Sequence, residues 1–168
     1  CDVADPDALV ALGAAIDALH AIPQADTTRL AIMGICQTAR LPLVVAAARP
    51  IAAALVWYGA AQPREWAVND KYPRALDEII AAVDCPVLGM FGETDHLISL
   101  DDVRRLRDRL ERHGNSYDIH VYRDAPHGWL NDTMPGRYRK EAAVDAWNLL
   151  LAFLKKTMNG RSKEKISW

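Results

Sequence analysis

The sequence predicts an α/β fold in which a mostly parallel sheet is flanked by helices. Three observations carry that prediction. Four short apolar runs, at 30–33, 51–57, 86–91 and 117–122, alternate with stretches of helical periodicity. The first three are apolar nearly without interruption, as expected of strands covered on both faces. Cys36, Asp95 and His127, the residues best suited to chemistry, each follow the end of one of these runs. Right-handed crossovers gather such ends along one rim of the sheet.

Each element follows from local pattern. Asp5-Pro6 reads as an N-cap followed by proline at the first helical position. Leu9, Leu12, Ile16 and Leu19 then recur at helical spacing up to about His20, before Pro23. Residues 30–33 form a strand, residues 34–37 a tight turn, and residues 38–48 a helix that tolerates Pro42 near its start. Ile51 to Trp57 is the second strand. Residues 74–82 form a helix carrying Leu76, Ile79 and Ile80 on one side. Pro86 to Phe91 is the third strand. Ser99 with Asp102 can cap the next helix, which carries Val103, Leu106 and Leu110 and stops at Gly114. Tyr117 to Tyr122 alternates in polarity, as suits an edge strand. The last helix is expected to bury Ala143, Trp147, Leu150 and Leu154.

Composition excludes several classes. The chain has 168 residues, about half of them apolar and a quarter charged, with a formal charge of -2, which describes an ordinary globular domain. No basic stripe suggests nucleic acid; Lys155 to Lys165 is mildly basic but carries Glu164 and breakers, and reads as a solvated end. The apolar runs are broken by Pro42, Arg49 and Pro50, so no membrane partner is expected. Three widely spaced cysteines, Cys1, Cys36 and Cys85, argue against a disulfide framework and fit a reducing compartment. Neither a CxxC pair nor a zinc spacing occurs, and no metal or organic cofactor is called for. Cys1 follows no methionine, which suggests that something upstream is missing.

Cys36 stands between a strand and a helix, with Gly34 two positions before it and Thr38 and Ala39 after it. A nucleophile at such a turn is strained and exposed, and needs small neighbours because strand and helix approach closely. The backbone N–H of Gln37 would point at a developing oxyanion. Equally, Cys36 could be a buried, inert thiol. Asp95 can orient a histidine or can cap a turn, and Glu93 competes with it as the acid. His127, between Pro126 and Gly128, is suited to act as a general base. His96 could cap or line the site; His20, His113 and His120 look structural. The three candidates come in the order nucleophile, acid, base, the chain order of an α/β-hydrolase triad.

Met33-Gly34-Ile35-Cys36, Trp57-Tyr58-Gly59, Phe91-Gly92-Glu93-Thr94-Asp95 and His127-Gly128-Trp129-Leu130-Asn131-Asp132-Thr133, with Arg137-Tyr138 beyond, closely resemble the dienelactone hydrolase family (carboxymethylenebutenolidases). The resemblance implies a cytoplasmic α/β-hydrolase with Cys36 as nucleophile, Asp95 as triad acid and His127 as base. Its substrate would be a small-molecule lactone or ester, opened as dienelactone is to maleylacetate in aromatic-compound degradation. Trp57, Tyr58 and Trp129 become candidates for substrate contact, with core packing as the competing role. Three departures stand out. Thr38 replaces a glycine, so the turn must adjust; Gly128 replaces a serine found in some members; and the family's N-terminal half has no counterpart. Only a C-terminal portion of the family is therefore expected. This would be a partial fold with its N-terminal strands absent, a truncated domain over 1–158 and a polar tail over 159–168. An unpaired edge at the Cys36 strand would invite a polypeptide partner or self-association. The alternative function is a non-catalytic, hydrolase-like subunit that joins a larger assembly through that edge.

Overall fold

The computed structural model describes residues 3–161. Its elements alternate: α1 (Asp5–His20), β1 (Ala31–Ile35), α2 (Leu41–Ala46), β2 (Ala53–Trp57), α3 (Leu76–Ala81), β3 (Val87–Gly92), α4 (Leu100–Arg112), β4 (Tyr117–Tyr122) and α5 (Lys140–Arg161). The sheet has the order β1-β2-β3-β4, with every pairing parallel. Ile35 lies beside Trp57, and Trp57 beside Met90, so the strand ends stand level along one rim.

Sequential strand order with crossovers of one hand puts α2, α3 and α4 on the same face. Ala54, Val56, Val87 and Phe91 point to that face and pack with Leu43, Ile79, Ile80 and Leu106. The alternate residues Leu55, Trp57, Leu88 and Met90 point the other way, beneath Ala143, Ala146 and Leu150 of α5. Both faces are thus covered by helices of this chain, which explains why β2 and β3 read as continuous apolar runs.

Several expectations are corrected in detail. Asp5 is the first residue inside α1 rather than its N-cap; Ala4 holds that position without a side-chain bond. Asp5 instead turns inward to a buried partner, Arg40. The helix expected over 38–48 is a single 3₁₀ turn, Cys36–Thr38, and a short α2 that begins only at Leu41. Thr38 is the reason. Its hydroxyl donates to the Ile35 carbonyl and accepts from the Ile35 N–H, both at 3.0 Å, and so closes a local loop that competes with regular helix. On α5 the buried stripe is Ala143, Ala146 and Leu150, whereas Trp147 is 42% exposed. α5 runs on to Arg161 and takes in the first residues of the segment read as a tail. The rest of that tail, 162–168, and Cys1 lie outside the described residues. Ser99 and Asp102 do cap α4 reciprocally, at 3.1 and 2.9 Å.

The turn after β1 leaves no room for side chains. A Cβ on Gly34 would lie 2.2 Å from the Thr38 carbonyl oxygen and 2.7 Å from the Ala39 Cα. Both obstacles are backbone, so neither can swing aside. Gly34→Ala is expected to cost about 3 kcal/mol or more, the upper range for forced overpacking, as read from the urea unfolding midpoint. A cost within about 0.5 kcal/mol would show that the turn can open without penalty.

Candidate functional site

Cys36 follows β1 directly, with φ +57°. That left-handed backbone is strained for a residue with a Cβ. It turns the chain sharply, and the side chain is left exposed at the rim. Asp95 is held in the loop after β3, and His127 in the loop after β4. These two loops are pinned to each other. A Cβ on Gly92 would sit 2.2 Å from the Ala125 carbonyl oxygen, and the Thr94 N–H donates to that same oxygen at 3.1 Å. Glu93, the competing acid, is engaged elsewhere: its carboxylate accepts the Asp124 N–H at 3.0 Å and steadies the left-handed residue there.

The three side chains form one chain of contacts. The Cys36 Sγ lies 3.0 Å from the His127 Nε2, and the His127 Nδ1 lies 2.8 Å from the Asp95 Oδ2. Asp95 and His127 are buried. The other Asp95 oxygen accepts the N–H groups of Leu97 and Ile98 at 2.8 and 3.1 Å. With both oxygens engaged, the carboxylate cannot rotate. It fixes a proton on the Nδ1 and leaves the Nε2 free to accept one from sulfur.

Burial pushes the Asp95 carboxyl up. The hydrogen bonds from His127, Leu97 and Ile98, with the charge of His127, outweigh it and hold the group below its usual range. A carboxyl whose folded pKa is depressed stabilises the fold above its unfolded pKa, about 4, and loses that contribution as pH falls through the folded value. The stability gap between the wild type and Asp95→Asn is therefore expected to shrink as pH falls below about 4. Urea midpoints across that range check this. A gap that grew on acidification would mean that the carboxyl is protonated in the fold.

Of the remaining expected residues, Gln37 lies in the 3₁₀ turn directly after Cys36. Tyr58 immediately follows β2, with its ring perpendicular to His127 at 5.1 Å. Trp57 and Trp129 lie behind it, 5.8 Å apart and with no exposed surface. Neither indole N–H has an acceptor among the described residues. His96 is exposed and faces His127 at 5.9 Å, lining the site. Arg40, buried four residues past Cys36, carries no local sequence signal for that burial; only Asp5, 35 positions away, explains it. Among the described residues, no group of three or more His, Cys, Asp or Glu is placed to hold a metal ion, and no helix is long and apolar enough to cross a membrane.

A model of the dienelactone hydrolase family matches residues 4–158. A protein of Methylorubrum extorquens named "Putative carboxymethylenebutenolidase" is 34% identical over 86% of this chain and 50% of its own length. A protein of that name from Escherichia coli K12 is 31% identical over 77% of this chain and 47% of its own. The chain spans about half the length of the curated relatives that it matches. The crystal structure "Putative Dienelactone Hydrolase from Klebsiella pneumoniae subsp. pneumoniae MGH 78578" superposes with a TM-score of 0.78 at 28% identity, covering 90% of this chain and 62% of that one. A dienelactone hydrolase-like promiscuous phosphotriesterase from metagenomic libraries, at 19% identity and TM-score 0.71 over 86% of this chain and 59% of that one, shares the fold. These matches correct the expectation of a likeness confined to a C-terminal portion, in a partial fold with absent N-terminal strands. The family's fold runs through almost the whole chain. The physical counterpart is a sheet whose two faces each have their own apolar cluster, built from helices α1 to α5.

Proposed function

The chain belongs to the dienelactone hydrolase family, and on that premise we propose that it is a thiol-nucleophile hydrolase that opens a lactone or ester through an acyl-enzyme. What supports this most directly is the 3.0 Å approach of the Cys36 sulfur to a histidine already fixed by a buried carboxylate.

Cys36 is the nucleophile, His127 the base and Asp95 the group that orients it. His127 takes the thiol proton on its Nε2. The sulfur attacks the carbonyl carbon, and the π pair moves onto oxygen, where the Gln37 N–H receives it. Collapse of this intermediate breaks the bond to the ring or ester oxygen, which leaves with the proton from His127. His127 then deprotonates a water molecule, the resulting hydroxide attacks the thioester, and the thiolate departs. The product is a carboxylic acid, and in a lactone both ends stay on one molecule, as when dienelactone becomes maleylacetate. We place this step in the cytoplasm, where the thiol that the chemistry needs stays reduced, and in aromatic-compound breakdown, as the likeness to the dienelactone hydrolase family implies.

Incubation with p-nitrophenyl acetate and with a conjugated butenolide tests the proposal. The expected result is turnover of both, with an acyl adduct on the peptide that contains Cys36 when the reaction is quenched early. A folded chain that neither turns over nor acylates would overturn it.

A further inference from the structure

The oxyanion formed in this reaction has room for more than one donor, and the Gln37 N–H supplies one. We propose that the hydroxyl of Tyr58 supplies a second, by donating a hydrogen bond to the acyl oxygen as negative charge develops on it. This inference rests on the hydrolase reading and adds to it a catalytic side chain from within this chain.

Placement comes first. Trp57 is paired in register with Ile35, so the residue that follows each, Tyr58 and Cys36, stands at the same level of neighbouring strands. Tyr58 has φ +35°. A bulky residue in that region costs of order 1–3 kcal/mol and persists only where the surroundings over-determine it, a pattern concentrated at functional sites. Here its N–H is tied to the Met90 carbonyl at 2.7 Å, and the loop after it is wedged against the Cys36 turn: a Cβ on Gly59 would lie 2.3 Å from the Cys36 carbonyl oxygen. The backbone holds this one side chain beside the thiol.

The ring itself comes second. It stands perpendicular to His127 at 5.1 Å and to Trp129 at 5.9 Å, and the residue is only 4% exposed. Tyr122, at the end of β4, shows what a structural tyrosine does in this fold: its hydroxyl donates to Asp145 at 3.0 Å. The Tyr58 hydroxyl makes no hydrogen bond among the described residues. The residue is nearly buried beside a nucleophile and its base, yet its hydroxyl is not among the enclosed polar atoms, so it is open to an incoming acceptor.

Electrostatics agree with that placement. Burial, then the negative charges of Cys36 and Asp95, push the phenol up to about 12. It remains a protonated donor throughout the working range, and it lies within the field of the thiolate.

Tyr58→Phe keeps the ring and removes only the hydroxyl. The discriminating comparison is between two reactions of the same sulfur. Hydrolysis of p-nitrophenyl acetate passes through an oxyanion, whereas alkylation by iodoacetamide does not. The expected result is a fall in kcat of about 100-fold with KM little changed, the effect of deleting one oxyanion donor, while the alkylation rate stays within about twofold. Hydrolysis within about threefold of wild type would overturn the proposal. Equal slowing of both reactions would also overturn it, since Tyr58 would then act by packing on His127. A wild type that is alkylated but never hydrolyses ester would fail the hydrolase reading itself, and this inference with it.

Discussion

Cys36→Ala is expected to lower turnover by about 10⁴-fold while the protein stays folded, the loss seen when one member of a cooperating triad is removed. The sulfur is the only atom of the group that bonds to substrate, and without it His127 has no proton to remove from a nucleophile. Any residual rate must come from binding and oxyanion donors alone. Stability should hardly move, because alanine keeps the φ of +57° and its strain. Cys36→Gly separates the two properties. It should be equally inactive yet more stable by about 1 kcal/mol, since glycine adopts a left-handed backbone without steric cost. Steady-state kcat and urea midpoints on the two variants check both arms. Activity within tenfold of wild type in Cys36→Ala would remove sulfur from the mechanism. A glycine variant less stable than the alanine variant would show that the turn is not strained.

The sequence made the strand ends legible because the physics there is local. The apolar runs end close to where β1, β3 and β4 stop, at Ile35, Gly92 and Tyr122, and Cys36, Asp95 and His127 each follow such a stop. Their mutual contact then follows from parallel strands brought level along one rim. What could not be read was set by contacts between residues far apart in the chain. Nothing near Tyr58 announces a left-handed backbone; the closest signal is Gly59 next to it. Thr38 was recognised as a departure, but its two bonds to Ile35, which shorten the helix expected over 38–48, depend on geometry that no periodicity encodes. Trp147 falls on the expected apolar stripe of α5 yet is 42% exposed, because the sheet beneath offers Trp57 to only part of its ring, at 5.4 Å. The expectation of missing strands arose because the family's N-terminal half found no counterpart in this chain, and motif matching does not show that both faces of a four-stranded sheet are covered by its own helices.

Arg40→Met is expected to cost about 3–5 kcal/mol, the penalty for removing one partner of a buried ion pair. Nothing in its neighbours Ala39 and Leu41 marks Arg40 as a buried, paired cation. In the fold it is 2% exposed. Its Nε donates to both Asp5 oxygens at 3.0 and 3.1 Å, and its Nη2 to the Asp5 Oδ2 at 2.9 Å. The Nη1 reaches the Glu65 carbonyl at 3.2 Å, the Nη2 the Arg74 carbonyl at 2.8 Å, and the guanidinium lies 4.3 Å over the Tyr72 ring. One cation thus joins the start of α1 to two loops beside α3. Methionine fills the volume but strands a buried carboxylate and two carbonyls. Adding Asp5→Leu removes the stranded charge, so the double variant should regain most of the loss, the signature of a pair whose desolvation roughly cancels its attraction. The link to the site runs through the backbone. Arg40 follows Ala39, whose N–H closes the Cys36 turn onto the Cys36 carbonyl at 3.1 Å. Loss of the anchor should therefore loosen the approach of Cys36 to His127, and kcat in the folded single variant should fall even under conditions where it is fully native. If the double variant regains stability but not kcat, the ion pair is retained for the position of the sulfur rather than for the stability of the fold.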